Sequence, residues 1–74
     1  MNKMEIKVSA KVENEAFVRT AISAFALSTN PSLDEISDIK TIVSEAVSNA
    51  IIHGYSNDPT KDVYIKAIIE NNEI

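Results

Sequence analysis

Cysteine is absent from this sequence of 74 residues, and glycine occurs only once. Without cysteine, the chain can form neither disulfide bonds nor a thiolate metal site. A phosphate-binding loop needs several glycines, so the single glycine excludes such a loop within these residues. Cysteine-based sites and glycine-rich nucleotide loops are therefore outside what these residues can provide.

Long apolar runs and basic clusters are missing as well. No run approaches the roughly 18 apolar residues of a membrane span, and the N-terminus alternates charged and apolar residues, unlike a signal peptide. With no cysteine either, we expect a cytoplasmic protein with no membrane partner. The net charge is −4 and the basic residues are scattered, so we expect no direct nucleic-acid partner. The basic residues are Lys3, Lys7, Lys11, Arg19, Lys40, Lys61 and Lys66.

The apolar fraction of 45% is enough for one small hydrophobic core. Alternating residues 4–11 predict a strand with one buried face. Residues 15–28 have helical spacing, with Asn14 as a plausible N-cap, and Asn30-Pro31 should end this helix. The expected apolar stripe of this first helix comprises Phe17, Ala21, Ala24 and Phe25, with Leu27 at its edge.

A second helix should begin after Ser32, which can form a capping box with Glu35. The pattern continues to about His53, and Gly54 then predicts a left-handed C-cap. A turn at 56–60, a strand at 63–70 and a hairpin turn at Asn71-Asn72 follow. The expected core face of the second helix comprises Ile36, Ile39, Val43, Ala46, Val47 and Ala50.

This order of strand, helix, helix and strand predicts an α+β fold. A two-stranded sheet is barely stable by itself. We therefore expect the chain to be the front of a larger two-layer α/β sandwich.

Residues 44–55, Ser-Glu-Ala-Val-Ser-Asn-Ala-Ile-Ile-His-Gly-Tyr, are the most informative stretch. Glu45 and Asn49 lie four residues apart, so both project from one helix face. Such a pair can hold a metal–phosphate complex and activate a hydroxyl, although two solvated helix residues are the alternative. Because Ile42 and Ile52 frame the pair, we expect a partly desolvated Glu45, which suits a general base.

Two further residues have competing interpretations. His53 lies one turn beyond Asn49 and could extend this polar row, or could be hydrogen-bonded near the helix end. Because asparagine is a poor zinc ligand, the spacing does not predict a zinc site. Arg19, the only arginine, is either a solvated charge or a partner contact, since arginine is enriched in interface hot spots.

Residues 44–55 closely resemble the N-box of the GHKL (Bergerat-fold) ATPases. Residues 14–19 and 33–41 resemble the anti-sigma-factor serine kinase branch, so the resemblance covers essentially the whole chain. Gyrase-type members usually carry an acidic residue where Ile52 stands. Sensor histidine kinases usually lack the glutamate and the His-Gly-Tyr ending, so Glu45 and residues 53–55 favour the anti-sigma kinases.

The resemblance implies an ATP-dependent serine kinase. Asn49 would bind the magnesium ion held by the ATP phosphates, with His53 also in the cofactor site. Glu45 would be the catalytic base that takes the proton from the substrate serine. The implied partners are a sporulation sigma factor, an anti-anti-sigma factor as the protein substrate, and a second copy in a homodimer. Arg19 matches the first-helix arginine that contacts the partners in this family.

The sequence departs from the family in one respect. The Asp-x-Gly-x-Gly box that reads adenine, the ATP lid and the later glycine box are all missing. We therefore expect residues 1–74 to be the N-terminal part of a single GHKL domain, inactive by itself. Two alternatives stay open: a non-enzymatic α+β interaction module, and the ATP-binding half of another GHKL protein such as a histidine kinase.

Overall fold

The computed structural model describes residues 1–54, 58–71 and 74. Strand β1 spans Asn2–Ser9, helix α1 spans Asn14–Ala26, helix α2 spans Leu33–Asn49 and strand β2 spans Asp62–Ile69. The predicted order of strand, helix, helix and strand is confirmed. Ser56, Asn57 and Asn72, which belong to two predicted turns, lie outside the described residues.

The two strands form an antiparallel sheet whose register runs from Asn2 opposite Ile69 to Ser9 opposite Asp62. The apolar positions of both strands therefore meet on one face, which the helices cover. The predicted alternation is confirmed in both strands. The cross-strand pairs on the covered face in which both residues are apolar are Met4 with Ala67, Ile6 with Ile65, and Val8 with Val63.

The core lies between this face and the two helices. Its most enclosed side chains are Val18 of α1 and Ile51, which follows α2, and both are 0% exposed. The remaining buried members of the cluster are Ala10, Ile22, Val47 and Val63.

Helix α1 buries a different face from the predicted one. Phe17 and Leu27 are 58% and 62% exposed, and Ala24 is exposed too, so the predicted stripe is wrong at these positions. The buried row is instead Val18, Ile22, Ser23 and Ala26. This helix is apolar on several sides, so its periodicity does not decide which side meets the sheet and α2.

The start of α1 also differs from the prediction. Glu13 precedes the helix and makes no side-chain capping bond, and Asn14 is the first helical residue. The Asn14 side-chain amide donates to the backbone oxygen of Ser9 at 2.8 Å. Asn14 therefore ties the helix start to the end of β1 instead of capping it.

The predicted capping box at the start of α2 is confirmed. The Glu35 backbone N–H donates to the Ser32 hydroxyl at 3.1 Å, and the Ser32 N–H donates to the Glu35 carboxylate at 3.2 Å. Ala46, by contrast, is exposed. It lines a groove that opens beside β2, so its place in the predicted core face is wrong.

The end of α2 is the main local departure. The α-helix ends at Asn49 and continues as a π-helical turn, Ala50–Gly54. A π-helical turn hydrogen-bonds over five residues instead of four, so it rotates the side chains relative to an ideal α-helix. Gly54 does not have positive φ, so the predicted left-handed cap is wrong. A Cβ there would meet only the Asn49 backbone oxygen, at an ordinary 3.9 Å.

Within the described part of the chain, no helix combines the length and apolar character needed to cross a bilayer.

Candidate functional site

The last turns of α2 present the polar residues that the sequence singles out. Glu45 and Asn49 both lie in α2, four residues apart, and both are exposed. His53 follows in the π-helical turn and is exposed as well. In the described residues, the side chains of Asn49 and His53 form no hydrogen bond, so the alternative of a hydrogen-bonded helix-end histidine is not supported there.

The expected desolvation of Glu45 is wrong. Ile42 and Ile52 are themselves 65% and 43% exposed, so they do not enclose the carboxylate between them. Glu45 reaches solvent directly and can receive a hydroxyl group from a second molecule. Any desolvation of this carboxylate would therefore have to come from that second molecule.

Arg19 is held in place by a network between the two helices. Its Nη1 group donates to the Glu15 carboxylate at 3.3 Å and to the Ser44 hydroxyl at 3.4 Å. The Ser44 hydroxyl donates to the same oxygen of Glu15. The Glu15 side chain is only 16% exposed, whereas that of Arg19 is 38% exposed. Arg19 is therefore a tethered charge that still reaches the surface.

This network places Arg19 beside the candidate base. Arg19, Ser44 and Glu45 line one shallow, open groove of about 410 Å³ between α1 and α2. Lys40 and Thr41 complete its wall. The groove thus offers two cationic groups, two hydroxyls and one exposed carboxylate. Such a surface can bind an acidic polypeptide segment and present a hydroxyl of that segment to Glu45.

Sequence reasoning missed four residues of this groove and its tether, which are Glu15, Lys40, Thr41 and Ser44. Glu15 could have been found, because it precedes Arg19 by four residues, the spacing of a helical ion pair. The three α2 residues carry no such signal, since their proximity to Arg19 depends on how α1 packs against α2. Neither Asn49 nor His53 lines this groove.

Asn49 can supply one ligand of a magnesium–nucleotide site. Mg²⁺ keeps most of its water ligands and usually takes only one or two protein oxygens besides substrate phosphates. The exposed Asn49 carboxamide can supply one such oxygen. The described residues contain no group of three metal-ligating side chains, so a metal ion held by protein alone does not fit that part of the chain.

Two comparisons with known proteins identify the family of this chain. A family model described as the histidine kinase-like ATPase domain matches residues 8–74. The anti-sigma F factors of Anoxybacillus flavithermus and Shouchella clausii are 52% and 53% identical over 73 residues, which cover 99% of this chain and 50% of each relative. The anti-sigma F factor of Clostridium perfringens is 53% identical over 73 residues, with 52% of its length covered.

The chain therefore spans about half the length of the curated relatives it matches. The matched region extends over essentially all of its residues, including those of α2 and the groove. With the family model matching nearly the whole sequence as well, the chain belongs to the histidine kinase-like ATPase domain family, in which it is a homologue of anti-sigma F factors.

Proposed function

We propose that residues 1–74 are the N-terminal part of a single ATPase domain that acts as an anti-sigma factor and a serine kinase. The observation that carries this proposal is the shared groove: Arg19 and Glu45 come from different helices and line one surface. The exposed Asn49 lies one helical turn beyond Glu45. The names of the relatives support the anti-sigma role.

Each residue has a distinct part in the proposed chemistry. Asn49 would hold the Mg²⁺ of Mg-ATP, with His53 at the same end of α2. The bound nucleotide would supply the phosphoryl group that is transferred. Glu45 would accept the proton of the attacking serine hydroxyl, and a positioned base typically contributes about 10²- to 10⁴-fold to a rate. The rest of phosphoryl-transfer catalysis is positioning and charge neutralisation.

Arg19 would contact the protein partners. The proposed partners are a sporulation sigma factor, an anti-anti-sigma factor that carries the substrate serine, and a second copy of the kinase. Glu15 and Ser44 hold the guanidinium at the groove, which lowers the conformational entropy that Arg19 loses on binding. A partner that engages Arg19 is thereby brought next to Glu45.

The test uses a protein of the relatives' length that carries these residues. Glu45→Gln removes the base but keeps the side chain's size, so phosphorylation of the anti-anti-sigma factor should fall by at least about 10²-fold. Nucleotide binding should persist in this variant. Asn49→Ala should weaken Mg-ATP binding itself.

The matched control is Asp38→Asn, an exposed acidic residue of α2 that does not line the groove. It should leave both phosphorylation and nucleotide binding unchanged. Normal phosphorylation by the Glu45→Gln protein would remove Glu45 from the mechanism. Normal Mg-ATP affinity of the Asn49→Ala protein would remove Asn49 from the nucleotide site.

The competing hypothesis of a non-enzymatic interaction module predicts different results for partner binding and for phosphate transfer. A module of that kind would bind its partner equally well with and without Mg-ATP and would transfer no phosphate. The description of the family model, a histidine kinase-like ATPase domain, supports nucleotide binding and so favours an ATPase domain over this module. The name of the relatives, anti-sigma F factor, favours an anti-sigma factor over a histidine kinase.

A further inference from the structure

The two cations of the groove that contains Arg19 and Glu45 differ in their surroundings. Arg19 is paired with the Glu15 carboxylate at 3.3 Å, and that side chain is only 16% exposed. The charge of Arg19 is therefore largely offset within its own helix. In the described ranges 1–54, 58–71 and 74, Lys40 forms neither a salt bridge nor a side-chain hydrogen bond. Lys40 thus gives this groove its uncompensated positive charge.

The sequence around Lys40 explains why it has no partner on its own helix. A helical side chain meets the side chains three and four positions away, and none of these is acidic here. Asp38 lies two positions away and Glu45 five, so neither is placed to pair with Lys40. The residues at three and four positions are Ile36, Ser37, Val43 and Ser44.

Lys40 also borders a second groove between the same two helices, with a volume of about 260 Å³. Among the described residues that line this second groove, Lys40 alone carries a charge. Leu27 in its wall is 62% exposed, and Ile36 is half-buried. Lysine commonly lays its hydrocarbon stem on apolar surface and keeps its ammonium group in water. Lys40 therefore stands where an apolar groove meets the polar groove of Glu45.

A segment that delivers a hydroxyl group to Glu45 passes close to Lys40. The two residues are five positions apart on α2, which is about 7.5 Å along the helix axis. An extended chain rises roughly 3.3 Å per residue, and side chains two positions apart lie on the same face. A carboxylate two residues from the substrate hydroxyl would thus reach the Lys40 ammonium group. Without Lys40, that carboxylate would approach the Glu45 carboxylate with only the already paired Arg19 to offset the repulsion.

We propose that Lys40 is a specificity-determining residue, which selects a substrate segment with an acidic side chain two residues from the phosphorylated serine. The occupant of the groove is the anti-anti-sigma factor, because it is the proposed partner that brings a hydroxyl group to Glu45. The selection rests on the proposed serine kinase function. Since the groove is shallow and open, the pair of Lys40 with the substrate carboxylate stays in contact with water. Such a pair contributes modestly to binding and is screened by salt.

Steady-state phosphorylation of the anti-anti-sigma factor, by a protein of the relatives' length, tests this selection. Lys40→Met keeps an apolar stem but removes the charge, so KM should rise about three- to fivefold while kcat stays unchanged. Lys40→Glu should raise KM by about tenfold or more, and Lys40→Arg should leave it normal. The KM difference between the unmodified protein and Lys40→Met should shrink at high salt, because the screening length falls from about 10 Å at 0.1 M to about 3 Å at 1 M.

The matched control is Lys11→Glu, which reverses an exposed charge outside both grooves and should leave KM unchanged. A change on the substrate completes the comparison. Replacing its acidic residue two positions from the serine by alanine should raise KM for the unmodified kinase. The same replacement should cause no further rise for Lys40→Met, since two changes that remove one contact are not additive.

Three results would overturn the role of Lys40 and leave the kinase proposal standing. One is a normal KM for Lys40→Met, and another is a KM rise that is the same at every salt concentration. The third is a substrate with no acidic residue two positions from its serine on either side. An unmodified protein that transfers no phosphate to the anti-anti-sigma factor would instead overturn the proposed function, and with it the role of Lys40. Circular dichroism shows whether each variant is folded.

Discussion

Two adjacent isoleucines give the sharpest test of how the π-helical turn is anchored. Ile51 is 0% exposed and Ile52 is 43% exposed, although both belong to the same turn, Ala50–Gly54. The same substitution at both positions therefore compares a core side chain with a surface one. Helix propensity changes equally in both variants and cancels from the comparison.

The expected magnitudes differ clearly. Ile51→Ala removes fully buried methyl groups and leaves a cavity, which typically destabilises a protein by roughly 2–5 kcal/mol. Ile52→Ala loses about half of a side-chain transfer energy of roughly 1.5–3 kcal/mol, or about 1 kcal/mol. At roughly 0.05–0.15 kcal/mol per residue, the whole chain should have a stability of about 4–11 kcal/mol, so only the Ile51 variant endangers the fold.

Urea denaturation followed by far-UV circular dichroism measures both losses. The chain should be kept at low concentration, because dimerisation would add to the apparent stability. Ile51→Val supplies a graded variant, with an expected loss of roughly 0.5–1.5 kcal/mol. Equal losses for Ile51→Ala and Ile52→Ala would refute the assignment of Ile51 to the core, and with it the anchoring of the turn that follows Asn49.

Three further predictions concern the site and a turn. In a protein of the relatives' length, Arg19→Ala should weaken binding of the sigma or anti-anti-sigma partner by about 2 kcal/mol, roughly 30-fold, and Arg19→Glu should weaken it more. The affinity of these variants for Mg-ATP should stay unchanged. If titration calorimetry also found their partner affinity unchanged, Arg19 would have a purely structural role. The 74-residue chain itself should bind Mg-ATP very weakly, because its single glycine permits no phosphate loop; micromolar affinity by calorimetry would contradict this. Finally, the Thr60 hydroxyl and the Thr60 backbone N–H both donate to the Asp58 carboxylate and lower its pKa from the ordinary 3.8. The hydroxyl has the largest effect, the backbone N–H the next, and the positive charge of Lys61 a smaller one. The stability that the ionised Asp58 carboxylate adds by accepting these bonds is complete above pH 3.8 and is lost as the pH falls through the lower folded-state pKa. The difference in unfolding free energy between the unmodified chain and Asp58→Ala should therefore shrink in acid. Urea denaturation at a series of acid pH values measures this difference, and a constant difference would contradict the role of the Asp58–Thr60 hydrogen bonds.

Some local features of the fold follow from the sequence alone. The capping box of Ser32 and Glu35 and the alternation of both strands depend on neighbours within a few residues. The pairing of Glu45 with Asn49 on one helix face follows from spacing in the same way. These predictions are confirmed because short-range geometry needs no knowledge of how the elements pack.

Packing decided the features that the sequence could not. The buried face of α1 depends on what lies against it, since Phe17 and Val18 are both apolar but only Val18 meets the core. The π-helical turn rather than a glycine cap ends α2, and it carries Ile51 into the core.

The candidate site shows the same division. The sequence identified Glu45 and Asn49 by their spacing and Arg19 as the only arginine, but it did not show that Arg19 and Glu45 share a groove. That groove exists because α1 packs against α2 so that Ser44 meets Arg19, which lies 25 residues earlier in the chain. The exposure of Glu45 was likewise decided by tertiary structure, since flanking isoleucines desolvate a carboxylate only when packing folds them over it.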